Sequence, residues 1–252
     1  MRLKLTLAYD GFPFAGWQSQ PQPEIRTVQG EIHRVLETIA KRPVKIYGSG
    51  RTDNGVHAIG QVAHFDAPAE IDMNPFNWLP AMNAQLPPEI RVMSCEQVNK
   101  DFHARHSAKK KTYTYRLSLA PVLPPHNAHR AWHLPRQLDP DTLDEALQLM
   151  TGSHDFRHLS ALRGNENVKT EYERNILSAS RAVLDDGYLL TFVGEGFLYK
   201  MVRFMTSAAV NASQGRLRLD DLENLLDRPE LPVNRKVPCA PADGLTLHSV
   251  TY

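Results

Sequence analysis

The segment from Gly48 to Ala58 constrains the fold of this chain more than any other stretch of the sequence. Apolar runs typical of β-strands flank it, residues 44–47 before the segment and residues 61–65 after it. Glycines within and just after the segment allow the backbone to turn tightly and a ligand to approach closely. Asp53 lies on this loop between rigid strands, so the pattern predicts a strand–loop–strand unit that presents a catalytic carboxylate.

Two familiar nucleotide-binding loops do not match this segment. A dinucleotide-binding loop has glycine at the sixth place of Gly-x-Gly-x-x-Gly, where this chain has Asp53, and a carboxylate there would repel a pyrophosphate. A phosphate-binding P-loop ends in Gly-Lys followed by Ser or Thr, and that ending is missing here. The alternative that the loop itself leaves open is a glycine-rich hairpin with an Asx-type turn at Asp53 and Asn54.

The composition is that of an ordinary globular protein. With 42% hydrophobic and 23% charged residues among 252, the chain is long enough for one large domain or two modest ones. Residues 1–10 contain no apolar core of a signal peptide, and no apolar run approaches the roughly 18 residues of a membrane span. Cys95 and Cys239 lie far apart, which favours neither a disulfide framework nor a zinc site. We therefore expect a cytoplasmic protein that binds no membrane.

Basic residues concentrate in one part of the chain, although the formal net charge is only +1. Residues 100–116 contain six basic side chains against Asp101 alone, namely Lys100, Arg105, Lys109, Lys110, Lys111 and Arg116. Clusters of this kind bind phosphate backbones, and the interleaved Phe102, Tyr113 and Tyr115 offer rings on which RNA bases stack. The alternative is a solvated basic face without a ligand. The aromatic residues favour RNA binding.

The first half of the sequence predicts an α+β unit. Residues 3–7 alternate between leucine and polar side chains, as in a half-buried strand, and Thr27 is placed to cap a helix that has an apolar stripe. Pro75 suits a first helical turn, whereas Pro80 should break or kink its helix. The predicted elements are strand 3–7, helix 28–39, strand 44–48, strand 61–66, helix 72–85 and strand 90–98. This order suits a ferredoxin-like fold.

The second half roughly repeats this order of elements. Asp139 and Pro140 fit the cap and the first position of a helix through Met150, and residues 185–187 fit a hairpin turn. The other predicted elements are strand 111–119, loop 120–138, loop 157–174, strands 175–184 and 188–194, helices 197–213 and 219–227, and strand 245–252. We expect the boundary between the halves near residues 100–108.

Motifs along the whole chain resemble those of the tRNA pseudouridine synthase A family, in the family's order. The central motif is Gly50-Arg51-Thr52-Asp53-x-Gly55-Val56-His57-Ala58. The flanking motifs are Tyr9-Asp10-Gly11, Gly16-Trp17-Gln18, Thr27-Val28-Gln29, Phe102-His103-Ala104-Arg105, Lys111-Thr112-Tyr113-Thr114-Tyr115, Met201-Val202-Arg203 and Ala240-Pro241-Ala242-Asp243-Gly244-Leu245. The chain departs from the family at Asn54, where alanine is usual, and asparagine tolerates the left-handed conformation that a turn can require.

The resemblance implies a fold and a reaction. The fold would be α+β, with two ferredoxin-like (RNA-recognition-like) halves whose antiparallel sheets join into one larger sheet, and with a basic cleft between the halves. Residues 1–105 would carry the catalytic loop, and residues 106–252 the other active-site residues. The reaction would isomerise uridine to pseudouridine at positions 38, 39 and 40 of the tRNA anticodon stem-loop. It oxidises nothing and adds no outside group, so neither a cofactor nor a metal is expected. The family would act as a homodimer that binds one tRNA across both subunits.

The resemblance also assigns roles to individual residues. Asp53 would be the nucleophile or the essential base, and Arg203 would be the ionic partner that keeps it charged. Tyr113 would stack on the target base and could take part in proton movement. Arg51 would contact phosphate or fill the gap that the flipped base leaves. Further substrate contacts would come from Arg105, Lys109, Lys110, Lys111 and Leu245.

Several of these residues have ordinary structural alternatives. Tyr115 shares the strand face of Tyr113, so one of the two rings could be a core residue. Leu245 is at least as well explained by core packing as by a base pocket. Arg203 could be an exposed helix arginine, although its apolar neighbours Met201 and Val202 indicate that part of this helix is buried.

Two other classes of protein remain open. A non-catalytic RNA-binding or RNA-folding protein could use the same basic cleft, but binding alone needs no carboxylate next to phosphates. A nucleotide-cofactor oxidoreductase is disfavoured because the glycine-rich loop lacks its third glycine. The eleven histidines do not have the spacing of a zinc site, which also argues against a metalloenzyme.

Overall fold

The computed structural model describes residues 1–22, 24–71, 73–162, 171–227 and 237–252. In chain order the elements are β1 (Arg2–Tyr9), α1 (Val28–Ala40), β2 (Ile46–Gly48), β3 (His57–Asp66), α2 (Pro75–Asn83), β4 (Ile90–Val98), β5 (Lys110–Ser118), a 3-10 turn (Pro125–Asn127), β6 (Trp132–His133), α3 (Pro140–Leu149), β7 (Gly152–Asp155), β8 (Glu173–Leu184), β9 (Gly187–Gly194), α4 (Met201–Ser213), α5 (Leu219–Asp227) and β10 (Leu245–Thr251). The expected mixed α+β class is confirmed. None of the helices in the described residues is long and apolar enough to span a membrane.

The chain divides into two compact units. Residues 1–109 together with 246–252 form the first unit, and residues 110–245 form the second. The last strand, β10, therefore returns almost entirely to the unit in which the chain begins. The predicted boundary at residues 105 and 106, the joining of the two sheets and the basic cleft stay predictions.

The sheet of the first unit has the strand order β4-β1-β3-β10, and β2 pairs with β3. Its pairs are antiparallel except β10 with β3, which run parallel, with Thr246 opposite His57. Leu3, Leu5 and Leu7 of β1 are fully buried, which confirms the alternation that the sequence shows. The strand β3 begins four residues earlier than predicted, because pairing with β10 from the far end of the chain extends it.

The two helices of the first unit show how capping and burial set their ends. The Oγ1 atom of Thr27 accepts a hydrogen bond from the backbone N–H of Gly30 at 3.1 Å, as the predicted cap requires. In α2, Pro75 occupies the first turn, and the described helix continues through Pro80. Of the predicted break or kink at Pro80, the break is therefore wrong, and the kink stays a prediction. Burial of Trp78 and Met82 at about 1.5–3 kcal/mol each offsets the roughly 3 kcal/mol cost of an interior proline. The predicted first residue of this helix, residue 72, lies outside the described residues.

The sheet of the second unit has the order β5-β9-β8-β7, all antiparallel, and the two-residue strand β6 runs parallel to β5. The predicted hairpin is confirmed, since Leu184 pairs with Gly187 across a turn at residues 185 and 186. The helix α3 begins at Pro140 with Asp139 as its cap, as predicted. The sequence did not predict β6 or β7, because strands of two and four mostly polar residues carry no periodic signal.

The helix α4 begins four residues later than predicted. Its preceding residue, Lys200, adopts a left-handed backbone conformation with φ of 59°, which no regular helix continues through. The backbone N–H of Met201 donates to the carbonyl of Leu198 at 3.2 Å, so residues 198–201 form a turn that leads into the helix. Residues 163–170 of the predicted loop 157–174 lie outside the described residues.

Candidate active site

The glycine-rich loop is a turn that places Asp53 between β2 and β3. The backbone N–H of Val56 donates to the carbonyl of Asp53 at 3.1 Å, and Gly55 has φ of 79°. A positive φ at this place is typical of a type II turn and favours glycine. Asn54 is exposed and is not among the described residues with positive φ, so the left-handed residue of the turn is Gly55.

Two glycines near the start of the chain pack directly on the backbone of this loop. A Cβ atom on Gly11 would lie 2.0 Å from the carbonyl oxygen of Val56, and one on Gly16 would lie 2.7 Å from the carbonyl oxygen of Thr52. The backbone N–H of Trp17 donates to the same carbonyl of Thr52 at 3.0 Å. The loop is thus held from outside by backbone contacts, while the Asp53 side chain stays half-buried.

Gln61 is the centre of a buried polar network under the loop. Its side chain is fully buried, and its Oε1 accepts from the hydroxyl of Ser49 at 2.7 Å. Its Nε2 donates to the carbonyl of Gly50 at 3.0 Å and to the hydroxyl of Tyr9 at 3.4 Å. One glutamine on β3 therefore binds the loop at two points before Arg51, and buried groups that are paired in this way resist rearrangement.

Tyr9 extends the network to the residue next to Asp53. Its hydroxyl and the Oγ1 of Thr52 are 2.8 Å apart, and both residues are buried. Burial raises the pKa of Tyr9 to about 12, and the hydrogen bonds with Thr52 and Gln61 offset this only in part. The phenol is therefore neutral at physiological pH, and it forms hydrogen bonds with Thr52 and Gln61. The sequence alone indicates no role for Tyr9 or Gln61, since a single polar residue in a strand carries no sign of burial.

Arg51 is exposed, and a chain of amides orients it. Its Nε donates to Oε1 of Gln18 at 3.0 Å, and Nε2 of Gln18 donates to Oε1 of Gln29 at 2.7 Å. Gln29 is buried and donates in turn to the carbonyl of Ile46 at 3.0 Å. The hydrogen bonds through Gln18 and Gln29 thereby fix the position of the Arg51 Nε atom. The guanidinium is exposed and can reach an anionic ligand.

A histidine and a second carboxylate lie where the loop ends. The Nδ1 atom of His57 is 3.2 Å from Oδ1 of Asp10 and 3.1 Å from the backbone nitrogen of Gly11. A neutral Nδ1 accepts from the Gly11 N–H, whereas a protonated Nδ1 donates to Asp10. His57 is buried, so this contact helps to hold the first residue of β3 against the segment that begins at Tyr9.

In the second unit, the two tyrosines of β5 lie in different surroundings. Tyr115 is fully buried, and its hydroxyl donates to the carbonyl of Pro241 at 2.7 Å. Burial raises its pKa well above the usual value. Tyr113 is 8% exposed and packs edge to face on Phe197, with ring centroids 5.1 Å apart. The core alternative therefore applies to Tyr115, and the role of Tyr113 stays a prediction.

Arg203 and Leu245, the other expected site residues of this unit, lie near the segment that contains Gly244. The Nε of Arg203 donates to the carbonyl of Ala240 at 2.7 Å. Its neighbours Met201 and Val202 are buried, as expected from the sequence. Leu245 is 5% exposed, and its backbone N–H donates to the carbonyl of Ala242 at 2.8 Å. The pairing of Arg203 with Asp53 stays a prediction.

The expected RNA-contacting basic residues are mostly open to solvent. Arg105, Lys109 and Lys110 are exposed, and Lys111 is half-buried at the start of β5. Residues 105–111 therefore form a cationic stretch that is mostly exposed.

Among the described residues, no group of three or more His, Cys, Asp or Glu side chains could hold a metal ion.

Comparisons with known proteins show the family to which this chain belongs. A family model described as tRNA pseudouridine synthase matches residues 6–107 and 146–252. The chain belongs to the tRNA pseudouridine synthases, a family of isomerases. Within that family it is similar to the proteins called tRNA pseudouridine synthase A, which confirms the resemblance seen in the sequence.

The match covers nearly the whole length of these relatives. The tRNA pseudouridine synthase A of Akkermansia muciniphila is 45% identical over 254 residues, which cover 100% of this chain and 95% of that protein. The protein of the same name from Geobacillus kaustophilus is 41% identical, over 100% of this chain and 94% of that protein. A solved structure, "Crystal Structure of a Cbf5-Nop10-Gar1 Complex", has 12% identity and a TM-score of 0.34 over 82% of this chain and 54% of that one. A similarity at that TM-score supports no statement about function.

Proposed function

We propose that this chain isomerises uridine to pseudouridine at positions 38, 39 and 40 of the tRNA anticodon stem-loop, with Asp53 as the nucleophile. The observation that carries the proposal is the half-buried Asp53 carboxylate on a loop that backbone contacts and a buried polar network fix in place. That loop lies in a chain 45% identical over its full length to a protein named tRNA pseudouridine synthase A. We further propose a cytoplasmic homodimer.

The reaction requires a balanced exchange of bonds on one nucleoside. The bond between N1 of uracil and C1′ of ribose breaks, a bond between C5 and C1′ forms, the proton on C5 leaves and N1 gains a proton. A carboxylate can serve by attack on C1′, by attack on C6 of the base or by removal of a proton. Each of these roles needs an ionised Asp53 within reach of the flipped nucleotide, and a rigid loop supplies that position at low entropic cost.

The remaining proposed site residues act on the charge and the position of the RNA. Arg203 pairs with Asp53 and keeps it ionised, since a carboxylate that loses water needs a cationic partner. Tyr113 stacks on the target base and Leu245 lines its pocket. The exposed Arg51, oriented through Gln18, contacts a phosphate or fills the place of the flipped base.

The cationic stretch binds the RNA backbone. Arg105, Lys109, Lys110 and Lys111 lie close together in sequence, and the first three are exposed. Each lysine or arginine that neutralises a phosphate releases counterions, so binding should weaken linearly with the logarithm of the salt concentration. The modest charge of one chain is compatible with a homodimer in which two such stretches contact one tRNA.

Tritium release tests the reaction and the role of Asp53 together. Purified protein is incubated with an unmodified tRNA transcript that carries tritium at C5 of uridine, in parallel with Asp53→Ala and Asp53→Asn. We expect release by the wild type and none by either variant, with tRNA affinity changed by less than about threefold because the charge of Asp53 does not attract RNA. Turnover by Asp53→Ala would contradict the assignment.

The same assay separates the proposal from a non-catalytic RNA-binding protein. Transcripts with uridine at only one of positions 38, 39 and 40 should each release tritium, and a transcript with cytidine at all three should release none. Retained tRNA binding without release from any transcript would support the RNA-binding alternative and would refute the proposed reaction.

A further inference from the structure

A cluster of four aromatic rings lies in the first unit, next to the strand that enters the catalytic loop. This ring cluster consists of Tyr47, His64, His103 and His106. Tyr47 stacks on His64 with ring centroids 5.2 Å apart and an interplanar angle of 20°. His64 contacts His103 at 4.7 Å, and His103 contacts His106 at 4.4 Å. His64 is 2% exposed, whereas Tyr47 is 45% exposed. The ring cluster therefore has a buried end at His64 and a solvent-exposed end at Tyr47.

Hydrogen bonds hold the buried end of the ring cluster, at His64, in place. The Nδ1 atom of His64 accepts a hydrogen bond from the backbone N–H of Ala104 at 3.1 Å. The carbonyl of Ala104 accepts from the hydroxyl of Tyr252 at 2.7 Å, and Arg2 donates to the carbonyl of Phe102 at 2.9 Å. A ligand that stacks on Tyr47 therefore meets a platform that needs little further ordering, which lowers the entropic cost of binding.

The basic residues near the exposed end of the ring cluster, at Tyr47, suit binding of a polyanion. Lys45 lies two residues before Tyr47 and is exposed, and Arg105 is exposed between the two outer histidines of the cluster. Asp66 of β3 is paired with Arg2. In the segment between β4 and β5, which contains the two outer histidines, Asp101 is the acidic residue, and it is exposed. Within the described part of the chain, neither Lys45 nor Arg105 forms an ion pair with a carboxylate.

We propose that Tyr47 is a stacking platform for an unpaired base of the RNA substrate, and that Lys45 and Arg105 contact the phosphates beside that base. The inference rests on the proposed function, because it takes the partner to be the RNA on which Asp53 acts. Tyr47 lies in β2, and from the end of this strand at Gly48 the chain runs directly into the catalytic loop. The stacked base therefore belongs to a nucleotide that flanks the target uridine, not to the target itself. Stacking on an aromatic ring tolerates any base, so the platform adds affinity without restricting sequence.

Substitutions at Tyr47 test the platform. Stacking contributes about 1–3 kcal/mol per base, so Tyr47→Ala should raise the Kd for an anticodon stem-loop RNA by roughly 5- to 100-fold. Tyr47→Phe keeps the ring and should bind within about twofold of the wild type. Tyr47→Leu keeps an apolar cover over His64 but offers no ring, and it should bind as weakly as Tyr47→Ala. Phe76→Ala is the matched control, because Phe76 is an exposed ring on α2 with 81% of its surface open, and its Kd should not change.

A second readout separates lost stacking from lost structure. In the tritium assay, Tyr47→Ala should raise KM by a factor similar to that in Kd and leave kcat at saturating RNA within about twofold. Wild-type Kd and KM for Tyr47→Ala, or equal weakening in Tyr47→Phe or Phe76→Ala, would overturn the inference. If the wild type releases no tritium while Tyr47→Ala and Tyr47→Leu still weaken binding, the proposed reaction fails and the platform stands.

Discussion

The hydrogen bond between Tyr9 and Thr52 offers a sharp test of how the loop is held, because Tyr9→Phe removes one oxygen atom and nothing else. The bond is 2.8 Å long and lies between two buried residues, and Tyr9 is the hydrogen-bond partner of the Thr52 hydroxyl in the described residues. Gln61 keeps its bond to the carbonyl of Gly50 after the substitution. The loss is therefore the buried bond to Thr52 and the longer bond of 3.4 Å from Gln61, and the Thr52 hydroxyl is left without this partner. Together these should lower the free energy of unfolding by about 1–3 kcal/mol.

Two measurements check this magnitude. Thermal unfolding should show a Tm lower by about 2–4 °C for each kcal/mol lost, as expected for a chain of this length. Single-turnover tritium release should fall at saturating RNA, because Thr52 adjoins Asp53 and a carboxylate displaced by a fraction of an ångström reacts more slowly. The KM should change less than kcat, since neither hydroxyl is placed to contact RNA.

A double-mutant cycle with Thr52→Val decides whether the bond itself is responsible. If it is, Tyr9→Phe and Thr52→Val should each be destabilising, and the double variant should cost little more than Tyr9→Phe alone. The coupling energy should then be close to the cost of Thr52→Val, about 1–3 kcal/mol. Additive costs in stability, or a wild-type kcat in all three variants, would refute the reasoning that this bond positions the loop.

Two further predictions concern charge. Neutralising Lys109–Lys111 with glutamine should weaken tRNA binding and flatten the dependence of log Kd on log salt by up to about 0.9 per lost phosphate contact. A salt slope equal to that of the wild type would exclude this stretch from the interface. For His64, burial chiefly lowers the pKa to about 4, with smaller contributions from His103 and Arg2 and an opposing one from Asp66. The unfolded chain binds this proton near pH 6.5 and the folded chain does not, so stability should fall as the pH drops from about 6.5 towards 4. His64→Phe should make that fall shallower in denaturant titrations, and an unchanged fall would contradict the reasoning.

Local signals in the sequence were sufficient where the structure depends on local physics. The alternation at residues 3–7 and the cap at Thr27 each describe a contact made within a few residues, and both predictions are confirmed. The continuity of α2 through Pro80 and the start of β3 depend on distant partners instead. Trp78 of α2 is buried and packs on Phe65 of β3 with ring centroids 5.1 Å apart, and pairing with β10 adds the residues from His57 onward to the strand. No window of the sequence contains those partners.

The candidate site divides in the same way. The sequence identified the loop and its carboxylate because glycines and an acidic residue between two strands form a pattern that is visible in one stretch. The support beneath the loop was not predictable, because Tyr9 and Gln61 come together only through the register of β1 on β3, in which Leu7 lies opposite Gln61. The burial of the two side chains and the hydrogen bond between them follow from that register and from no feature of either residue's neighbours in the sequence.

The chemistry of this support has a consequence for the pH dependence of turnover. The buried network at the loop consists of the side chains of Gln61, Ser49, Thr52 and Tyr9, and Tyr9, the titratable one among these four, has a pKa raised to about 12. These four side chains are therefore neutral as the pH rises from about 5 to about 9. Tyr9→Phe should accordingly lower kcat by the same factor at every pH in that range. A factor that varied with pH would mean that the phenol itself takes part in proton transfer, in place of holding the loop.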